Sequence, residues 1–202
     1  MSLTRVPVDL ALRIVSHESL GAGHFLLSLA TPGDYPAWEP GQFAMVTLAL
    51  PPGTADPLLR RPFSIHNLPG APAGILQIFY KVQGRGTRLL SGARAEDTIR
   101  CLAPLGNGFA PKRPEGSRLL LVAGGIGVAS LHPLGLREEL SGGHPLMLYG
   151  CRTSLETAGI RHTVEAGIDV RVSTDDGSAG RRGFVSEMLD EFLLEDGPAV
   201  RD

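Results

Sequence analysis

Two arginines, a proline, an aromatic ring and a hydroxyl follow one another at Arg60-Arg61-Pro62-Phe63-Ser64, flanked by Leu58-Leu59 and Ile65. A guanidinium is a planar fork of donors that matches phosphate oxygens, and a ring beside a hydroxyl suits a flat, hydrogen-bonding heterocycle. The plainer alternative is an edge strand whose proline blocks pairing and whose arginines are solvated. A second candidate is Lys81-Val82-Gln83-Gly84-Arg85-Gly86-Thr87. Its glycines let backbone N–H groups turn inward around an anion, and a helix N-terminus adds a favourable dipole. Thr87 would cap that helix or meet a phosphate oxygen; an ordinary glycine turn is the alternative. A third candidate, Gly124-Gly125-Ile126-Gly127-Val128-Ala129-Ser130, follows an apolar run and opens a helix, which is the setting of nucleotide binding. The dehydrogenase fingerprint also wants an acid about 20 positions on. There the chain reads Tyr149-Gly150-Cys151-Arg152, so the ordinary NAD-dehydrogenase pattern is not met. Thr174-Asp175-Asp176-Gly177-Ser178 has adjacent carboxylates, yet this composition reads as a turn before it reads as a Mg²⁺ site.

The elements that must carry these groups fall into two halves. Val6, Val8, Leu10, Leu12 and Ile14 alternate with other residues at the period of a half-buried strand, and a turn is expected over 17–23. Phe25, Leu27 and Leu29 mark a second strand. Further strands are expected at 42–50, 58–65, 74–82 and 97–102, with a short helix at 87–93. Six short strands punctuated by Pro and Gly predict a closed six-stranded antiparallel barrel. From about residue 117 the pattern becomes strand–helix–strand: buried strands at 119–123, 145–149 and 168–174, and helices at 128–140, 155–166 and 184–194. That alternation predicts a parallel α/β sheet. The expected division is a barrel over 1–106, a linker over 107–116 and an α/β lobe over 117–202.

Composition narrows the chemistry. The 202 residues suit two small domains of about 100 residues. A net charge of −2 gives no electrostatic footprint for nucleic acid or an anionic membrane. No apolar run approaches the roughly 18 residues that span a bilayer, and Met1-Ser2-Leu3-Thr4-Arg5 has no signal-peptide core, so a cytoplasmic chain is expected. Two cysteines, Cys101 and Cys151, give neither a disulfide framework nor a zinc site, and fall short of the four thiolates of a [2Fe-2S] cluster. The six histidines lack metal-ligand spacing.

Taken in order, the motifs resemble the ferredoxin–NADP reductase superfamily, in which a flavin-binding Greek-key barrel precedes a nicotinamide-binding α/β lobe. Within it the chain is most similar to the electron-transfer-subunit family of NAD-dependent dihydroorotate dehydrogenase. The resemblance rests on the three glycine-bearing segments above, on Leu59-Arg60-Arg61-Pro62-Phe63-Ser64-Ile65, and on Pro40-Gly41-Gln42-Phe43, Ala103-Pro104-Leu105-Gly106-Asn107-Gly108-Phe109 and Thr174-Asp175-Asp176-Gly177-Ser178. It implies FAD as cofactor and NAD(H) as substrate. Arg61 would hold FAD phosphate, Pro62 and Phe63 would lie against the cofactor, and Ser64 near its reactive edge. Lys81, Val82, Gly84, Gly86 and Thr87 would cradle the pyrophosphate. Gly124, Gly125 and Gly127 would admit the nicotinamide nucleotide, and Asn107 would border the cleft. One tension is physical: in an ideal strand Arg61 and Phe63 share a face that Ser64 does not.

The resemblance further implies a partner dehydrogenase subunit in pyrimidine biosynthesis, and electron transfer without any catalytic side chain. The family also carries a Cys-Gly-Pro segment and four [2Fe-2S] cysteines, which this chain does not contain before it stops at Val200-Arg201-Asp202. The α/β lobe is therefore expected to lack its last strand or strands. Ser130 stands where the family has proline. A reductase for another acceptor, such as hydrogenase, sulfide dehydrogenase or ferredoxin, and a non-catalytic flavin-binding or assembly module are the alternatives.

Overall fold

A computed structural model describes residues 6–47, 59–70, 72–112, 114 and 116–195. The expected strand residues 48–50, Leu58, the turn over 51–57 and both termini lie outside the described residues.

The first lobe is built on β1, Val8–Gly21. Its first half pairs antiparallel with β6, Thr98–Leu105, and its second half with β2, His24–Ala30. The handover falls at Ile14, which is fully buried. The turn expected over 17–23 is confined to Ala22 and Gly23, both with positive φ (49° and 76°). Two such residues make the tight hairpin turn whose twist matches its strands. Residues 17–19 look turn-like in sequence because they are polar, but β2 supplies backbone partners as far as Gly21, Glu18 and Ser19 face outward, and His17 is half-buried against Tyr80. At the other end of β1, Val6 and Leu10 are exposed, so the alternation buries residues only from Leu12 onward.

β3 (Phe43–Thr47), β4 (Arg61–Ser64) and β5 (Ile75–Lys81) complete the lobe in the order β4-β3-β6-β1-β2-β5. The two ends of that order meet: Ile65 bridges Ile78, and the His66 N–H donates to the Gln77 carbonyl at 2.8 Å. Asn67 stitches the same junction, donating to the Ile75 carbonyl and accepting from the Gln77 N–H. The result is a nearly closed antiparallel barrel, with Leu12, Ile14, Leu27, Leu29, Val46, Ile65, Leu76 and Ile78 among its buried filling. A short helix, α1 (Arg85–Leu90), leaves β5 and starts two residues earlier than its apolar residues suggest.

The second lobe is a parallel sheet in the order β10-β9-β8-β7. β7 spans Leu120–Gly124, β8 Leu146–Cys151, β9 Asp169–Thr174 and β10 Arg181–Arg182. All six residues of the central β8 are buried, which explains its unbroken apolar sequence. Leu146 and Leu148 face α4 (Val185–Glu195), while Met147 and Tyr149 join the cluster on the other side, against α2 (Val128–Leu140). Gly135 lets α2 lie close: a Cβ there would sit 3.0 Å from Ile168 and from Leu121. The single helix expected over 155–166 is instead a 3₁₀ segment, Ser154–Ile160, followed by α3, Arg161–Glu165. Gly159 marks the tight place, since a Cβ there would lie 2.7 Å from the Tyr149 hydroxyl. β10 has only two residues, too few to show a period in sequence.

The lobes share a seam. Phe79, Leu20 and Leu26 of the barrel belong to the same apolar cluster as Leu121, Val128, Met147 and Ile168. Histidines line it: His66 stacks on His132 of α2 with ring centres 4.4 Å apart, and His24 stacks on Phe79 at 5.6 Å. Pro133, inside α2, has no N–H to offer the carbonyl four residues back, that of Ala129. His66 Nδ1 lies 3.1 Å from that oxygen and must be the donor, because a carbonyl only accepts.

Candidate functional site: a cleft between the lobes

The strand ends of both lobes open onto a cleft of about 900 Å³. On the barrel side its wall is Lys81, Val82 and Gln83, where β5 runs out toward α1. On the other side Gly124, Gly125 and Ile126 follow β7, and Gly150, Cys151 and Arg152 end β8. Asp175 and Phe184 close the rim. A crevice beyond the carboxyl ends of parallel strands is where α/β sheets bind their ligands.

The glycines divide into two kinds. Gly150 is required by packing, since a Cβ there would lie 2.7 Å from the Val185 Cβ. At Gly84, Gly124, Gly125 and Gly127 a Cβ would meet no protein atom within 4 Å, so the protein's own contacts do not demand glycine. Gly125 has φ +50° and is glycine for its backbone. Gly124 leaves bare backbone in the cleft wall and Gly84 at its α1 rim, as close approach by a ligand requires.

Of the residues singled out by sequence, Lys81, Val82, Gly124 and Gly125 line this one cleft. Gly84, Gly86 and Thr87 stand just beyond it, at the start of α1. Thr87 Oγ1 accepts from the N–H groups of Gln83 (2.9 Å) and Gly84 (3.1 Å) and lies 3.1 Å from the Gly84 carbonyl. Its hydroxyl therefore shapes the loop. Gly86 is buried and serves α1.

β4 presents its residues on two faces. Pro62 is exposed and pairs with Met45; Ser64 pairs with Phe43 and is half-buried. Phe63 turns inward, 9% exposed, with its ring edge-on to Tyr80 inside the barrel core. A ligand lying outside β4 would thus touch Pro62 and Ser64, while Phe63 supports them from beneath. Arg61 is half-buried and donates to the Leu59 carbonyl at 2.5 Å. Arg60 pairs with Asp9 at 2.7 Å and holds that carboxyl below the usual carboxylate range. Asn107 is exposed beyond β6; Leu105, two residues earlier, pairs with Phe43, which places Asn107 and Ser64 toward the same end of the barrel. Asn107, Gly127 and the β4 residues do not line the cleft.

Glu156 and Phe184, by contrast, line it without having been singled out. The sequence Thr153-Ser154-Leu155-Glu156 has the form of a helix-capping box, which hides a carboxylate whose partner comes from the other lobe. Glu156 Oε1 meets Lys81 Nζ at 2.7 Å and Arg152 Nη2 at 3.0 Å. The Lys81 hydrogen bond is the main cause that lowers the Glu156 pKa. Asp176 binds the Ser178 N–H (2.9 Å) and hydroxyl (2.6 Å), so its carboxylate closes a turn. Among the described residues no group of three or more His, Cys, Asp or Glu could hold a metal ion, and no helix is long and apolar enough to cross a membrane.

A nearly closed antiparallel barrel followed by a parallel α/β lobe, with a cleft between them, is the fold of the ferredoxin–NADP reductases. Superposition agrees. The chain matches the NADH-dependent reduced ferredoxin–NADP oxidoreductase structure with a TM-score of 0.73 and 27% identity, over 96% of this chain and 66% of that one. A Neisseria gonorrhoeae ferredoxin NADP+ reductase with bound FAD and NADP gives a TM-score of 0.73 at 19% identity, over 93% and 78% of the two chains. No family model matches the sequence. Curated homologues of the sequence include electron transfer subunits of dihydroorotate dehydrogenase B (NAD(+)). Identity is 39% over 158 residues with the Bacillus caldolyticus protein, covering 78% of this chain and 60% of that one. The Aquifex aeolicus homolog is 34% identical over 78% of this chain and 59% of its own. The chain thus spans about three-fifths of the length of the curated relatives it matches.

Proposed function

We propose that this chain is the flavin- and nicotinamide-binding portion of an electron-transfer subunit, passing electrons between NAD(P)H and a partner dehydrogenase subunit, with dihydroorotate as the oxidised substrate in pyrimidine biosynthesis. The barrel, residues 1–106, would hold FAD, and the lobe from residue 117, joined through 107–116, would admit the nicotinamide nucleotide. The observation that carries this reading is the pairing of Lys81-Val82 with Gly124-Gly125 on opposite walls of one cleft, in a chain 39% identical to such a subunit.

In this reading Pro62 and Ser64 offer a flat face and a hydroxyl to FAD outside β4, and Arg61, the first residue of the strand and on its other face, meets an FAD phosphate past the strand end with its guanidinium fork. The bare backbone of Gly84 gives the pyrophosphate room beside Thr87's loop, and Gly124 does the same for the second nucleotide. When both are bound, flavin and nicotinamide supply the hydride chemistry, and the protein contributes grip, orientation and exclusion of water. No acid, base or nucleophile is assigned to the chain. A [2Fe-2S] centre needs four thiolates. Cys101 and Cys151 are the only cysteines, both buried and in different lobes, so the residues present do not fit that cluster. The 27% identity to an NADH-dependent ferredoxin–NADP oxidoreductase supports a second reading, in which a ferredoxin is the partner.

Purified protein reconstituted with FAD should show a flavin spectrum that bleaches anaerobically on addition of NADH. A colourless protein that takes up no FAD refutes the enzyme and leaves a non-catalytic assembly module. Reduction of flavin followed by transfer to ferredoxin alone would favour the second reading.

A further inference from the structure

Lys81 and Glu156 reach toward each other from different lobes at the wall of the cleft. Lys81 ends β5 of the barrel, Glu156 sits in the 3₁₀ segment of the α/β lobe, and only 13% and 14% of their side chains are exposed. The Glu156 backbone is itself fixed, because its carbonyl accepts from the buried Tyr149 hydroxyl at 3.1 Å. Gly159 holds that segment against Tyr149 with no room for a Cβ. On the barrel side Lys81 pairs in register with His24, which is fully buried, donates from Nδ1 to the Gly21 carbonyl and has no partner for Nε2. Both ends of the ion pair are therefore mounted on rigid backbone.

We propose that Lys81 and Glu156 are a positioning pair that sets the spacing of the two lobes, and with it the approach of nicotinamide to flavin. This rests on the function proposed above. A nearly buried ion pair is a weak source of net stability, because desolvation offsets its attraction. What it provides is a fixed geometry, since losing one partner leaves an uncompensated charge that must find another place. Reacting atoms must meet at about 3–3.5 Å, and misplacement by about 1 Å costs on the order of a hundredfold in rate. The pair bridges the walls that would hold the two cofactors. Glu156 also holds Arg152, so one carboxylate neutralises a cation from each lobe. Its lowered pKa keeps it ionised throughout the neutral range.

The test uses Glu156→Gln, Lys81→Met and the double variant of the 202-residue chain with FAD bound. Single-turnover reduction by NADH gives a limiting rate and a half-saturating concentration. Each single variant should lose about 10- to 100-fold in limiting rate, with half-saturation moving less than about threefold. The double variant should be no slower than the slower single, because both remove one interaction. A limiting rate at the wild-type level overturns the proposal. So does a loss confined to half-saturation, or single losses that multiply in the double variant. If wild-type protein binds no FAD, the proposed function fails, but the clamp is still read by amide hydrogen exchange. Exchange over residues 81–83 and 154–160 should quicken in Glu156→Gln, and unchanged exchange overturns the pair's role.

Discussion

Acidification should weaken the seam between the lobes through His66 and His132. Both rings are buried, 3% and 6% exposed. Burial is the main cause that lowers each pKa, His132 to about 4 and His66 well below its ordinary value; His162 adds to both shifts, and His132 adds to that of His66. His66 faces the Ala129 carbonyl, the Phe79 ring and His132, while His132 faces His66 and Thr163 Oγ1 at 3.1 Å. Neither set offers a carboxylate to stabilise a cation. Between pH 6.5 and about 4 the unfolded chain therefore binds a proton at His132 that the folded chain refuses. Stability then falls as pH falls, at about 1.4 kcal/mol per pH unit for each such group. For His132 alone that amounts to about 3 kcal/mol by pH 4, out of a typical total of about 5–15. His66 acts with the same sign. Carboxylates with lowered pKa values, Asp9 and Glu156 among them, lose their contribution only as pH drops through and below about 4, so the two windows separate. Urea denaturation at half-unit steps from pH 7.5 to 4.5 reads the slope. In His132→Gln the slope between pH 6.5 and 5 should shrink by about 1.4 kcal/mol per unit. A flat wild-type curve over that interval, or an unchanged slope in the variant, refutes the reasoning.

Three substitutions test the cleft and its frame. Arg61→Ala should weaken FAD binding by about 10- to 150-fold, the worth of a hydrogen bond to a charged group, while the melting temperature stays near wild type; equal affinity by fluorescence titration removes the phosphate role. Gly84→Ala meets no protein atom and has extended backbone (φ −147°), so stability should hold while FAD affinity drops, and unchanged affinity would show that no ligand approaches there. Gly180→Ala places a Cβ 2.0 Å from the Val172 carbonyl at φ +60°. It should cost at least about 2 kcal/mol, seen as a lower urea midpoint, and a wild-type midpoint would mean that the β9–β10 turn yields more easily than its packing suggests.

Elements defined by local chemistry were legible. Helix α2 spans Val128–Leu140, the range expected from the sequence, because a glycine run precedes it and Ser141-Gly142-Gly143 follows. Elements defined by partners were not. The second half of β1 reads as a turn until β2 provides its hydrogen bonds. The segment at 155–166 reads as one helix until Tyr149 is seen pressing against Gly159. The same division holds at the cleft. Lys81, Val82, Gly124 and Gly125 announce themselves through short motifs, whereas Glu156 gains its meaning from Lys81, far away in sequence. Phe63 shows the limit of motif reading: alternation along β4 predicts that it shares a face with Arg61, and the barrel takes that face for its core.

The seam also bears on how portable either lobe is. Phe79, Leu20 and Leu26 complete the core of the second lobe, and His66 caps a carbonyl that Pro133 leaves open in α2. Cutting the chain near residue 106 would bare an apolar face on the barrel and strand a buried acceptor in the helix. The two halves should therefore melt in a single calorimetric transition. A chimera that exchanges one half with another reductase would need to carry the seam residues along with it.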